Sequence, residues 1–430
     1  MNIAIIGAGP TGLTAAWELR KRGEHITLYE REISEIGGLA GAVAINETYI
    51  DRFYHHIFTS DTDILDLINE MGLSGDMLWV EPKNGIYING TLYPFTSPLD
   101  LIMLPAVSLI GRFRMGMAVL SAKKVKDYMS MEGINAKDWL IEKTGQDAYD
   151  KIWHNLLYSK FDKDADSVSG VWIWNKFKLR GSTRQSINKE MLGYLRGSFY
   201  KLYRKMEDNL RISGAKIMYE PVIQISGDGG KVAVETETNL TVYDKAIFTG
   251  APALLCKLCE FSGDYAAKAA NNKYKSNICM TIITRQQISD YYWITIAERG
   301  APFVLFIEHT NLIKDPEYKD KRIIYLSRYI DESDPFFAAS DEEIEKVFFD
   351  YLNRLFPGFR RASVIDSYIS RAVYTQPVIG LNYSKQILPF ETPVKGLYLA
   401  SMAQIYPEDR GQNYAVNMGK KIAGMISEKG

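Results

Sequence analysis

NIAIIGAGPTG, residues 2–12, is the stretch that decides the fold. Asn2 to Ile6 reads as a short buried strand that stops at Gly7-Ala8-Gly9-Pro10-Thr11-Gly12, and Leu13 to Arg22 (LTAAWELRKR) then reads as a helix closed by Gly23. Strand, tight turn and helix come in the order that a dinucleotide's pyrophosphate requires. Gly7 makes the turn, Gly9 lets the backbone approach the phosphates, and Gly12 lets the helix pack closely on the strand. The free N–H groups at the helix start then face the anion, and the helix dipole favours it. A second strand, Ile26 to Tyr29, ends in Glu30, about 20 residues after the loop, where an acidic side chain accepts hydrogen bonds from a ribose diol.

Beyond Glu30 and Arg31 the chain reaches a second glycine pair, Gly37-Gly38, which an NAD domain does not need. Glu30 followed by Gly37-Gly38-Leu39 resembles the second FAD fingerprint of the superfamily that holds amine oxidases, protoporphyrinogen oxidase, phytoene desaturases and UDP-galactopyranose mutase. Leu39 stands where many members carry Arg. Near the other end, the strand-like Gly396 to Ser401 and then Gly411-Gln412-Asn413-Tyr414 leading into a last helix resemble the C-terminal FAD motif of the same superfamily. By this resemblance the helix start faces the pyrimidine end of the flavin, with Gly411, Asn413 and Tyr414 as contacts and Ser401 where the family usually has Asp. Two middle segments are similar to further family strands: 215–225, whose backbone at Val222 meets adenine, and Lys245 to Pro252, which returns beneath the cofactor through Thr249 and Gly250.

The resemblance implies an α/β fold: a Rossmann-like FAD-binding domain assembled from 1–60, 190–265 and 390–430, with an interleaved α+β substrate domain. In this plan 60–190 is a mostly helical insert and 265–390 a substrate-binding β-sheet domain. Pro10, Thr11 and Arg31 join the three loop glycines, Glu30, Gly37, Gly38 and Leu39 as cofactor-binding candidates. FAD is the implied cofactor, and no metal is expected.

The chemistry is sought in what surrounds these motifs. Asp51-Arg52-Phe53-Tyr54-His55-His56-Ile57-Phe58 follows the second glycine pair, and His56-Ile57-Phe58 resembles the histidine phrase of UDP-galactopyranose mutases. Imidazole moves protons near neutral pH, which makes His56 the catalytic candidate and His55 a substrate contact. Arg410, in Tyr406-Pro407-Glu408-Asp409-Arg410-Gly411, is the second catalytic candidate, and Arg52 a substrate-binding one; both could hold a substrate anion through the guanidinium fork, and Arg410 could equally pair with Glu408 or Asp409. Tyr374 and Tyr406 complete the expected substrate wall, with Glu308 to Asn311 as another polar cluster.

The first function expected is an FAD-dependent oxidoreductase that passes hydride from an amine, alcohol or alkene C–H to flavin N5. A flavin-dependent sugar-nucleotide mutase without net redox is the alternative; Asn89 to Phe95 resembles a phrase found in both. A third reading is a non-catalytic flavoprotein at a membrane surface.

Composition narrows the partners. Lys plus Arg number 51 against 52 Asp plus Glu in 430 residues, so no global field draws in nucleic acid. Three cysteines are too few for a disulfide framework, and the start lacks the pattern of a signal peptide, so a cytoplasmic location is expected. Leu101 to Leu120 is strongly apolar but broken by Pro105, Gly111, Arg112 and Arg114. It reads as buried core or pocket lining, or else as a peripheral membrane contact.

Overall fold

The computed structural model describes residues 1–33, 35–45, 48–182, 184–186 and 189–428. Its first layer is a five-stranded parallel sheet built from β1 (Asn2–Ile6), β2 (His25–Glu30), β3 (Lys216–Tyr219), β4 (Lys245–Phe248) and β5 (Leu397–Leu399), in the spatial order β3-β2-β1-β4-β5. Every neighbouring pair is parallel. Ile3, Ala4, Ile5 and Ile6 are all buried, as both faces of a parallel sheet must be when helices cover it. Helix α1 (Pro10–Lys21) follows β1, with Pro10 in its first turn, where a missing N–H costs nothing. The last helix, α2 (Gln412–Glu428), lies against α1.

The segment 215–225, expected as one strand, is two. β3 ends at Tyr219, and a new strand, Val222–Asp228, pairs antiparallel with Lys231–Thr236 outside the parallel sheet. Pro221 sits at the break and has no N–H to donate to a continuing ladder.

A second sheet of seven strands runs, in spatial order, Val364–Pro377, Tyr274–Thr284, Arg322–Ile330, Leu305–Glu308, Trp293–Ile296, Asn84–Ile88 and Thr91–Pro94. Its middle strands alternate. Ile324, Leu326 and Ile330 pack with Phe348 and Leu352 of the helix Asp341–Leu355, whereas Ile323, Tyr325 and Tyr329 join the core shared with α1 and β1. The second face therefore looks toward the parallel sheet, and it carries polar groups as well: Asn277, Thr281 and Ser327 are buried. Asn89 and Gly90, both at positive φ, turn the hairpin that adds the two outermost strands. Between 98 and 182 the chain is helical, with its own core around Trp139, Tyr149, Trp153 and Trp174.

The stretch 101–120 is not simply core. It forms the helices Pro98–Met103 and Leu109–Ala122; Met115, Ala118 and Ala122 face inward, while Leu109, Ile110 and Phe113 are 75%, 73% and 70% exposed. A single helix can bury only the stripe that faces its neighbours, and this sequence carries apolar side chains well beyond that stripe.

Candidate functional site

The glycine loops meet at the carboxyl ends of β1 and β2, where open α/β sheets bind ligands. Gly7 has φ of +107°, and a Cβ there would lie 2.4 Å from the Thr249 hydroxyl oxygen. A Cβ at Gly12 would lie 1.9 Å from the Gly7 carbonyl oxygen, so only glycine admits this strand–helix approach. Gly9 differs: a Cβ there meets nothing within 4 Å, so its open side is space the protein does not fill. The second glycine pair closes onto the first loop, the Gly37 N–H donating to Ala8 O at 2.8 Å, with the Cβ direction of Gly38 reaching 3.5 Å from Gly9 Cα. Glu30 is buried and oriented, accepting from the backbone N–H of Ala8 at 2.9 Å and of Glu32 at 3.1 Å. Tyr219 pairs with Glu30 across the sheet, which puts Val222 just beyond this corner.

The neighbouring candidates divide. The Thr249 hydroxyl donates to Ile6 O at 3.0 Å and Gly7 O at 3.2 Å, buttressing the loop from behind, and a Cβ at Gly250 would strike the Phe248 ring at 2.7 Å. Thr11 turns its carbonyl oxygen to α2, 2.7 Å from the Cβ direction of Gly419. Leu39 is half-buried in the turn Gly38–Ala40, whereas Arg31 is exposed and faces Glu32 at 3.5 Å.

At the far end, Ser401 is buried and caps the short turn Met402–Gln404, with the Tyr274 hydroxyl 3.4 Å from its own. Gly411 immediately precedes α2. The Asn413 side chain accepts from the Ile64 N–H at 3.1 Å, so it holds the helix Thr62–Glu70 and its carbonyl is already engaged; Tyr414 is half-buried one residue on. Gln412, which sequence reading passed over, accepts from the Tyr203 hydroxyl, and its Nε2 is buried with no partner among the described residues.

Between the start of α2 and the inner face of the seven-stranded sheet lies a cluster of aromatic and polar side chains. Arg410 makes no ion pair with Glu408 or Asp409. It donates from Nε to Gln376 Oε1 at 3.0 Å and from Nη2 to the Tyr329 hydroxyl at 2.7 Å, and Tyr54 adds its hydroxyl 3.2 Å from that of Tyr329. Asp409 accepts from Lys176, from Trp172 Nε1 at 3.3 Å and from Gln376 Nε2 at 3.3 Å. Burial pushes the Asp409 carboxyl up, but the charges of Lys176, Lys160 and Arg410 outweigh it and hold the group well below the usual carboxylate range.

His56 Nδ1 is 3.2 Å from the Tyr292 hydroxyl, and the ring stands edge-on to Phe58 and Trp293 at 5.4 and 5.8 Å. Burial, with Lys176 nearby, lowers its pKa to about 4; burial, with Arg410 and His56, lowers that of His55 to about 3. Both imidazoles are therefore neutral at pH 7, and proton exchange near neutrality, the reason for singling out His56, is not how they sit in the free protein. Residues 54–56 lie in a loop just before the strand Ile57–Phe58, with the His55 Nδ1 buried.

Tyr374 lies edge-on to Tyr274 at 5.4 Å, close to Ser401. Tyr406 packs instead against Tyr128 and Tyr383, each at 5.5 Å, within the helical insert's core. Arg52 is elsewhere: it pairs with Glu35 and lines a separate surface cavity of about 430 Å³ with Asp341, Glu345 and Arg371. Glu308 and His309 are structural, the first accepting from the Ser289 N–H at 2.8 Å, the second 3.3 Å from the Tyr318 hydroxyl. Lys160, Lys176, Trp172 and Tyr329 were not legible in the sequence, since single polar or aromatic residues on apolar helices and strands carry no periodic mark.

The cradle fits a dinucleotide. Gly9 leaves unfilled space at the glycine loop, and Gln412 Nε2, at the start of α2, is buried without a partner among the described residues, whereas buried polar atoms are ordinarily satisfied.

Comparison with known proteins agrees. The profile of the flavin-containing amine oxidoreductase family matches residues 10–423. Protoporphyrinogen oxidase 2 of Arabidopsis thaliana is 23% identical over 223 residues, 50% of this chain and 42% of that protein, so the match spans less than half of the relative's length. A candidate protoporphyrinogen oxidase from Exiguobacterium sp. 255-15 superposes with a TM-score of 0.81 at 18% identity, covering 100% of this chain and 99% of the other. Reduced UDP-galactopyranose mutase superposes with a TM-score of 0.77 at 16% identity, covering 100% and 96%; both likenesses are of fold. With its residues 10–423 matched and its two glycine loops joined at one sheet edge, the chain belongs to the family of flavin-containing amine oxidoreductases and takes FAD as its cofactor.

Proposed function

We propose that the protein is an FAD-dependent oxidoreductase that removes hydride from a small organic substrate in the cleft between α2 and the seven-stranded sheet. FAD supplies the hydride-accepting centre. In this reading 1–60, 190–265 and 390–430 hold the cofactor, 265–390 forms the substrate wall and the insert 60–190 closes the cleft. The observation that carries it is the arrangement at the start of α2: Arg410 fixed by Gln376 and Tyr329, within a wall of Tyr54, Trp293 and the two neutral histidines. Aromatic walls exclude water, Arg410 orients a polar group of the substrate, and His56, neutral with Tyr292 at one nitrogen, can offer a hydrogen bond to the substrate at the other.

The test is anaerobic mixing of the flavin-loaded protein with amines, alcohols and alkenes, followed at the visible flavin band. Loss of the band on mixing, reversed by air or an added acceptor, is the expected result. Turnover of a sugar nucleotide only after pre-reduction with dithionite, without net loss of electrons, would replace this reading with the mutase.

A cytoplasmic, membrane-peripheral location accompanies this reading. Cys256, Cys259 and Cys279 are all unpaired, and no helix among the described residues is long and apolar enough to cross a membrane. What favours contact with a bilayer surface is the outward row of Leu99, Met103, Leu109, Ile110 and Phe113. Between Leu101 and Lys126 the chain has five basic residues and no acidic one, which suits anionic headgroups.

A further inference from the structure

Three cations converge on two rings beside the start of α2. Lys160 Nζ lies 4.9 Å from the centroid of Trp172 and 5.1 Å from that of Tyr329; Lys176 shares Trp172 at 5.5 Å, and Arg410 shares Tyr329 at 5.8 Å. Among the described residues one carboxylate, Asp409, answers them, and Lys176 takes it directly. Arg410 bonds only to the neutral Gln376 and Tyr329, and Lys160 has no hydrogen-bond or ion-pair partner among the described residues. The nearby carboxylates Asp164 and Asp331 are occupied by Lys275, with Lys273 and Lys163. The two histidines add no negative charge. The cleft is thus short of anionic charge, and half-buried cations crowded together without a matching counter-charge favour an anion that can reach them.

We propose that this cleft selects a substrate bearing a carboxylate or phosphate group, which Lys160 and Arg410 bind as its counter-ions, and that it disfavours protonated amines, although the family is named for amine oxidation. This rests on the oxidoreductase reading for the identity of the site. Burial lowers the Lys160 pKa, Asp409 opposes that shift, and Lys176 and Arg410 add to it, as a site lacking one anion requires. An alkylammonium entering here meets three cations and one already paired carboxylate; an anion completes the set.

The experiment titrates the purified full-length protein, flavin-loaded, with inorganic pyrophosphate, with succinate and with butylammonium chloride at constant ionic strength, reading the flavin band and the Tm. The expected result is that at least one anion perturbs the band and raises Tm at concentrations where butylammonium does neither. Lys160→Met then weakens that anion by about thirtyfold, and Lys160→Arg largely restores it, with flavin content unchanged. Pyrophosphate outcompeting succinate identifies a phosphate-bearing substrate, and the reverse a carboxylate. Butylammonium binding as tightly as the anions, binding by neither anion, or anion binding indifferent to Lys160→Met overturns the proposal. The comparison of ligands on the wild type stands even if the variants misfold. Preparations without flavin overturn the oxidoreductase reading instead, and the Tm readout then still decides this one.

Discussion

Glu308 shows how far single residues depart from what the chain declares. Its position at the end of an apolar run invited a pocket role, but its carboxyl is fully buried and spends its oxygens on the backbone of Ile288 and Ser289. Burial raises its pKa to about 7, with those N–H bonds opposing the rise. The folded protein therefore binds a proton that the unfolded chain, titrating near 4.5, releases first. Its contribution to stability is complete below about pH 4.5 and lost as pH rises through 7, a change on the order of 3 kcal/mol. Denaturant melts of Glu308→Gln should lack that part of the wild-type fall over this window, although Asp51 and Asp61, both raised to about 6 mainly by burial, add a fall of the same sign in both proteins. Parallel pH curves for the two proteins would refute the assignment. The steric demand for glycine at Gly7 and Gly12 was legible because a tight strand-turn-helix leaves no room for a Cβ at either. Asn413 was legible only as a polar residue at a helix start; that its oxygen serves Ile64 depends on a helix far away in sequence.

At the scale of elements, the opening strand, turn and helix and the closing strand and helix were all readable, because their periodicities are strong and local. What was not readable is how α1 and α2 meet. A Cβ at Gly419 would lie 2.6 Å from Thr14 Cβ and 2.7 Å from Thr11 O, so glycine here is a packing requirement that no motif marks. Gly419→Leu should destabilise the protein by about 1–3 kcal/mol, seen as a lower denaturation midpoint, because the helices cannot separate without losing buried contacts on both. An unchanged midpoint would mean that the two helices slide freely. The break at Pro221 was visible as a proline, but an apolar strand pattern on both sides masked the change of sheet.

At the scale of the whole molecule, the division of 101–120 into an inner and an outer face escaped sequence reading, since a helix whose apolar residues spread over most of its circumference does not say which side is covered. The structure leaves Ile110 and Phe113 uncovered. The full-length protein should therefore co-sediment with vesicles containing anionic phospholipid, more weakly at high salt, and the double change Ile110→Glu and Phe113→Glu should abolish this while leaving Tm unchanged. Equal sedimentation of the variant would assign the exposed row to something other than a bilayer. The central claim, that the joined glycine loops hold FAD, is tested most directly at Gly9, whose φ of −74° and unobstructed Cβ direction tolerate a side chain in the protein itself. The measurement is the FAD released on denaturing wild type and Gly9→Val, beside the stability of both after flavin is stripped. The account predicts stoichiometric FAD from the wild type, almost none from Gly9→Val, and stripped stabilities within about 1 kcal/mol. Equal FAD from both proteins would contradict it.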